Sequence, residues 1–279
     1  MRLRLAPTLR TAALTAAALL LPAIIEAIYV SPTAVFMDER SPSAQVTIGN
    51  SGDAPEEATV ELRFGFPDAD SAGTPFIRFV DDPGPEFPSA ADWIHAFPQR
   101  VRLAPHSQQV VRLLARPPDS LPDGEYWTRM IITGREGTLR VAGADTGVHA
   151  GVDLVIRLIT SVTFRKGKVS TGVVVRDVSA DVQGDSLTLW MHLDRRGNAA
   201  YLGTMDVELL NGHGSTVHSW SSAVAVYTPM RRRFSFKVDS LPTGDYKVRL
   251  RLRAQRADLP EDRVLPAPTV SDSVAIRVD

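Results

Sequence analysis

Asp119-Ser120-Leu121-Pro122-Asp123-Gly124-Glu125-Tyr126 leads into Trp127-Thr128-Arg129-Met130-Ile131-Ile132. The phrase returns as Asp239-Ser240-Leu241-Pro242-Thr243-Gly244-Asp245-Tyr246, ahead of Lys247-Val248-Arg249-Leu250-Arg251-Leu252. Each copy is a Pro/Gly turn, then a tyrosine, then a strand. Proline pre-sets one turn dihedral and glycine admits conformations closed to other residues. A two-sheet sandwich needs this combination where the chain swings between sheets into its sixth strand. There a tyrosine hydroxyl hydrogen-bonds back to the corner's own backbone. Tyr126 with Gly124, and Tyr246 with Gly244, are therefore expected to form structural corners. The copies lie one domain length apart, which predicts two immunoglobulin-like β-sandwiches in tandem and an all-β fold.

The flanking sequence follows the same logic. Ile28 to Met37 reads as a first strand broken by Pro32, which confines that part to an edge or a switch between sheets. Ser43 to Ile48 and Ala58 to Phe66 alternate with period two, and Asn50-Ser51-Gly52-Asp53 is a turn. Pro67 to Pro88 reads as a long loop rich in Pro, Asp and Gly. Ala90 to Phe97 reads as a short apolar stretch with one helical turn, and Arg100–Leu103 and Gln108–Leu114 as strands. After the corner, Tyr126 to Thr133 is the sixth strand, Gly134-Arg135-Glu136-Gly137 a turn and Gly143–Val148 a loop. Val152 to Phe164 is the longest strand-like run, and Arg165-Lys166-Gly167-Lys168 the joint between domains. The second half divides into Val169–Val178, Ser186–Leu193, Thr204–Leu210, Val217–Val226, Arg232–Val238, Tyr246–Ala254 and Val270–Val278. Short strands at this spacing without helical periodicity mean sandwiches.

Residues 1–27 read as a cleavable secretory signal, with Arg2, Arg4 and Arg10 before the apolar Thr11 to Ile25 and cleavage after Ala27. The uninterrupted apolar run falls short of the ~20 residues of a spanning helix. The domain boundaries expected are 1–27, 28–165 and 166–279. The 279 residues carry a net charge of −1, so electrostatics offer no case for nucleic-acid binding. No cysteine is present, which rules out disulfides and thiolate metal sites.

The motifs of the first half, in their order, resemble the PapD-like periplasmic chaperones of chaperone–usher pilus assembly. Ile28-Tyr29-Val30-Ser31-Pro32-Thr33 is similar to the opening strand of that superfamily, and Ser43 to Gly52 to its second strand and turn. Arg100 to Leu113 resembles the passage into the corner, and Leu121-Pro122-Asp123-Gly124-Glu125-Tyr126 the corner itself. The match spans about 28–165, and the second half matches only in type. The resemblance implies an exported binding protein without cofactor. Its first domain's last strand would complete the unfinished sandwich of a secreted or surface subunit by strand addition. It also implies a basic pair for that subunit's terminal carboxylate. Those positions fall on Ala34 and Val162, so both basic groups are missing, and Arg157 or Arg165 are the available substitutes.

Read for itself, the run 152–164 has two rows, because successive strand residues face opposite ways. Val152, Leu154, Ile156, Leu158, Val162 and Phe164 share one row with Thr160, and would face the core. Val155, Arg157 and Ile159 belong to the other. Val155 and Ile159 are either knobs offered to a partner at an open edge or packing beneath the second domain. Together with Arg157 they form the candidate partner-binding site.

Catalytic signals are weak. The six histidines are scattered; His213 and His218 straddle a turn without a third ligand at metal spacing. Asp81-Asp82 reads as a solvated turn, and no serine lies in a nucleophile elbow. Arg231-Arg232-Arg233 reads as a basic edge strand. Trp127 and Trp190 are expected in cores, and Trp93, near the long loop with Phe97, is the aromatic to consider for binding. The expected protein is a non-enzymatic, periplasmic or secreted assembly chaperone, touching the membrane only through its signal. The alternative is a structural or adhesive spacer of the envelope.

Overall fold

The computed structural model describes residues 28–140, 151–239 and 241–278, with no side-chain description at 135–140 and 151–154. The expected signal and the loop over Gly143–Val148 lie outside the described residues. The first half contains β1 (Ile28–Ser31), β2 (Ala34–Asp38), β3 (Ser43–Asn50), β4 (Glu56–Arg63), β5 (Gly65–Ala69), β6 (Pro75–Phe79), β7 (Ile94–Phe97), β8 (Arg100–Leu103), β9 (Gln108–Ala115), β10 (Gly124–Arg140) and β11 (Gly151–Lys166). The second contains β12 (Thr171–Gln183), β13 (Ser186–Gly197), β14 (Tyr201–Asn211), β15 (Thr216–Val226), β16 (Met230–Lys237), β17 (Gly244–Arg253) and β18 (Val270–Val278). One 3-10 turn, Glu261–Arg263, is the only helical element among the described residues.

The strands form two immunoglobulin-like sandwiches. In the first, the sheet β1-β3-β9-β7 faces β2-β11-β10-β4-β8. Period-two rows from both sheets meet in a core that includes Val46, Ile48, Val60, Leu103, Val111, Met130, Ile132, Val162 and Phe164. In the second, β12-β13-β16 faces β15-β14-β17-β18 around Leu187, Leu189, Met191, Met205, Val207, Val248 and Leu250. The opening segment changes sheets at Pro32, which lacks a ladder donor: β1 pairs antiparallel with β3, and β2 runs parallel to β11.

Both corners close on themselves. The Tyr126 hydroxyl donates to the Pro122 carbonyl at 2.8 Å, and Tyr246 to Pro242 at 2.9 Å. Burial, and then the nearby Asp123, hold the Tyr126 phenol above its ordinary pKa. Tyr126→Phe and Tyr246→Phe are each expected to cost about 1 kcal/mol, the net worth of one hydrogen bond. Urea denaturation measures this, and an unchanged midpoint in both variants would mean that water replaces the phenol at no cost.

Two local expectations are corrected, and a third holds for its turn but not for the strand that follows. Gly134 to Gly137 is not a turn: β10 continues to Arg140, paired with β11 through a register shift between Glu136 and Leu139. Glycine suits position 134 because a Cβ there would overlap the Ile28 side chain. The stretch 67–88 is not loop throughout, since β5 and β6 form a hairpin turning at Asp70 to Gly73. The apolar stretch before β8 makes a turn closed by Ile94 N–H to the Ala90 carbonyl, then becomes strand β7.

Candidate functional site: the open edge of β11 and the domain joint

β11 has two different flanks. On one side β10 pairs with it over its full described length. On the other, β2 pairs only with Ser161 to Arg165. The Ser161 amide donates to the Thr33 carbonyl at 3.1 Å, so the backbone groups of Ser161 point away from β10. With a period of two, those of Val155, Arg157 and Ile159 point the same way, along a flank that no other described strand occupies. The edge is open because the chain turns aside at Pro32 to build β1.

The side chains in that row are correspondingly free. Val155 is 52% and Ile159 41% exposed, and Arg157 is exposed as well. They do not pack beneath the second domain. Ile159 pairs across the ladder with Ile131, which is 3% exposed, so one flank of Ile159 is covered and the other faces the open edge. The opposite row descends into the core, with Leu158 half-buried and Val162 and Phe164 buried. Thr160 sits fully buried among them, its hydroxyl without a hydrogen-bond partner.

The two expected basic positions are occupied otherwise. Val162 is a core residue, 1% exposed. Ala34 lines a cleft of about 270 Å³ shared with Gln45, Leu259 and Arg263. Arg165 is not a free substitute: its Nε donates to Glu125 Oε2 at 2.8 Å, one Nη donates to the Arg263 carbonyl, and its guanidinium lies over Phe36. Arg157 remains exposed on the open row.

Below the open edge, the outer row of the same sheet becomes the domain joint. Phe64, Phe66, Trp127, Ala200, Leu202 and Tyr227 form a third apolar cluster, drawn from both halves. Trp127 meets Tyr227 edge-on at 4.6 Å between centroids, so it is buried between the sandwiches and not inside one. At its centre Glu125 is 2% exposed and fully engaged. Its Oε1 accepts from Trp127 Nε1 at 2.8 Å and from the Ala200 amide at 3.1 Å, while Oε2 takes Arg165. Burial pulls the nearby Arg195 guanidinium below its ordinary pKa, and Glu125 pulls it back up. The β5–β6 hairpin adds a second contact. Gly73, at φ +71°, accepts from the Arg233 amide at 3.0 Å, and a Cβ there would stand 2.6 Å from Trp190.

The other candidate residues disperse. Trp93 stacks edge-on against Phe164 and Tyr126 at the margin of the first core, so it is a packing residue. Trp190 lies outside the second core, beneath Arg231 and Arg233. His218 stacks on Trp220, which stacks on Phe236. Asp81 pairs with Arg63 at 2.6 Å. Among the described residues no group of three His, Cys, Asp or Glu side chains is placed to hold a metal ion, and no helix is long and apolar enough to cross a membrane.

No family model matches this chain, and no curated protein matches it. Solved structures do. The Pseudomonas aeruginosa CupB2 chaperone is 14% identical, covering 90% of this chain and 100% of its own, with a TM-score of 0.39. The class 5 fimbriae chaperone CfaA is 12% identical over 88% of this chain and 98% of its own, with a TM-score of 0.42. The YadV chaperone is 14% identical over 89% and 99%, with a TM-score of 0.41. Each of these is a chaperone.

Proposed function

We infer that this chain is an exported PapD-like assembly factor, with domains at 28–165 and 166–279, that shields a secreted or surface protein subunit by strand addition along β11. The observation that carries the reading is the open flank of Val155, Arg157 and Ile159, where backbone groups and apolar side chains face solvent together. An edge of this kind templates pairing with another chain. Main-chain hydrogen bonds then supply affinity and alternate side chains supply specificity. The activity makes and breaks no covalent bond and calls for no cofactor. Export by the 1–27 leader to the periplasm accords with such a partner.

The reading does not require the superfamily's basic pair. With Ala34 and Val162 in those positions, a partner is held by the strand itself. The envelope-spacer alternative draws on the joint around Glu125, which would suit a stiff rod.

Affinity capture of the mature protein from its own periplasm, followed by mass spectrometry, separates the two. The wild type is expected to recover a stoichiometric subunit. Val155→Asp combined with Ile159→Asp is expected to lose it with unchanged circular dichroism, since both side chains are exposed. Recovery of the wild type alone and monomeric would leave the spacer reading in its place.

A further inference from the structure

The open row on β11 is not uniformly apolar. Arg157 stands between Val155 and Ile159, exposed, and it makes no ion pair and no side-chain hydrogen bond with any residue whose side chain is described. Across the ladder its partner on β10 is Thr133, whose own partner on β4 is Thr59, so no carboxylate lies directly opposite it within the sheet. The carboxylates on β4 are matched to neighbouring rows. Glu57 is taken by Arg102 at 2.7 Å, and Glu61 lies opposite Ile131. Among the described residues the guanidinium is thus an exposed charge in the open row, with no described carboxylate directly opposite it.

Resting on strand addition at β11, we propose that the occupant is an extended segment whose outward row reads apolar, acidic, apolar. The acidic residue lies opposite Arg157, and β-branched residues lie opposite Val155 and Ile159. Directly opposed residues on neighbouring strands come close enough to interact, opposite charges favourably and like charges unfavourably. The order is the same in either direction, so it holds for a parallel or an antiparallel occupant. Arg157 is a specificity determinant: the backbone edge accepts any extended chain, and Arg157 selects among them.

The test uses two synthetic peptides, Thr-Val-Thr-Glu-Thr-Val-Thr and the same sequence with Lys in place of Glu. Each is titrated to millimolar concentration into the mature protein while amide NMR shifts at residues 155–160 are followed. The wild type is expected to bind the Glu peptide about fivefold more tightly than the Lys peptide, the upper range for one cross-strand charge pair. Arg157→Glu is expected to reverse the preference, and Arg157→Ala to abolish it. Equal binding of both peptides by the wild type and Arg157→Glu, with shifts at 155–160, would keep strand addition and overturn the role of Arg157. The same holds if Arg157→Ala self-associates and no form discriminates; Arg157 would then serve to repel second copies. No shift from either peptide would overturn strand addition and this inference together.

Discussion

Glu125→Ala is expected to lower the unfolding free energy by about 3–5 kcal/mol, the cost of breaking a buried ion pair by removing one partner. The Glu125 side chain is 1% exposed and that of Arg165 13%, so solvent screens little of the interaction. The substitution strands three donors at once: Arg165 Nε, Trp127 Nε1 and the Ala200 amide. Because Ala200 and Arg195 belong to the second sandwich, the loss falls on the joint. Urea denaturation should therefore show the sandwiches unfolding in separate transitions. Glu125→Gln should fall between, because its single oxygen cannot serve both the Trp127–Ala200 side and Arg165. A loss under about 1 kcal/mol for the alanine variant, the range of an exposed pair, would show that water reaches the carboxylate and that the joint is not held there.

Trp127→Ala is expected to cost a similar ~3–5 kcal/mol, through the cavity left in the third cluster. The indole is 1% exposed and packs against Tyr227 from the other sandwich, with the Arg195 guanidinium 5.6 Å from its ring. Trp127→Phe keeps most of the apolar contact but takes the Nε1 donor from Glu125, and should cost roughly 1–3 kcal/mol. The two sites share a hydrogen bond, so the Glu125→Ala/Trp127→Ala double variant should lose less than the sum of the single losses. Additive losses would mean that the carboxylate and the indole stabilise the joint independently. Neither variant touches the open row of β11, so partner capture is expected to survive in both wherever the first sandwich stays folded.

How much of this was legible depends on the range of the interaction. The corners could be read because their parts lie within a few residues of one another, and a Pro-x-Gly-x-Tyr phrase closes its own hydrogen bond. The alternating row of β11 could be read because parity is local. The hairpin β5–β6 was hidden because Pro67, Pro75 and the aspartates carry turn chemistry, and its tip is seated by Arg233 in the other half of the chain. The packing of Trp93 has no local signature for a related reason. Its neighbours Tyr126 and Phe164 come from strands far along the sequence, and their rings seat it against the margin of the core. Glu125 gave no signal at all, since a lone acid after a turn glycine looks like surface until Trp127, Ala200 and Arg165 are brought around it.

The class of fold, the two corners, and the residues of the last strand of the first half that share a face are all legible in the order of residues. These follow from local dihedral preference and a period of two. Whether the second row of that strand is covered is set by packing between distant segments. Burial depends on where β2 ends and where the second sandwich sits, and both are long-range outcomes: Pro32 turns the chain away above Ser161, and the joint around Glu125 covers Thr163 while leaving Val155 and Ile159 in solvent.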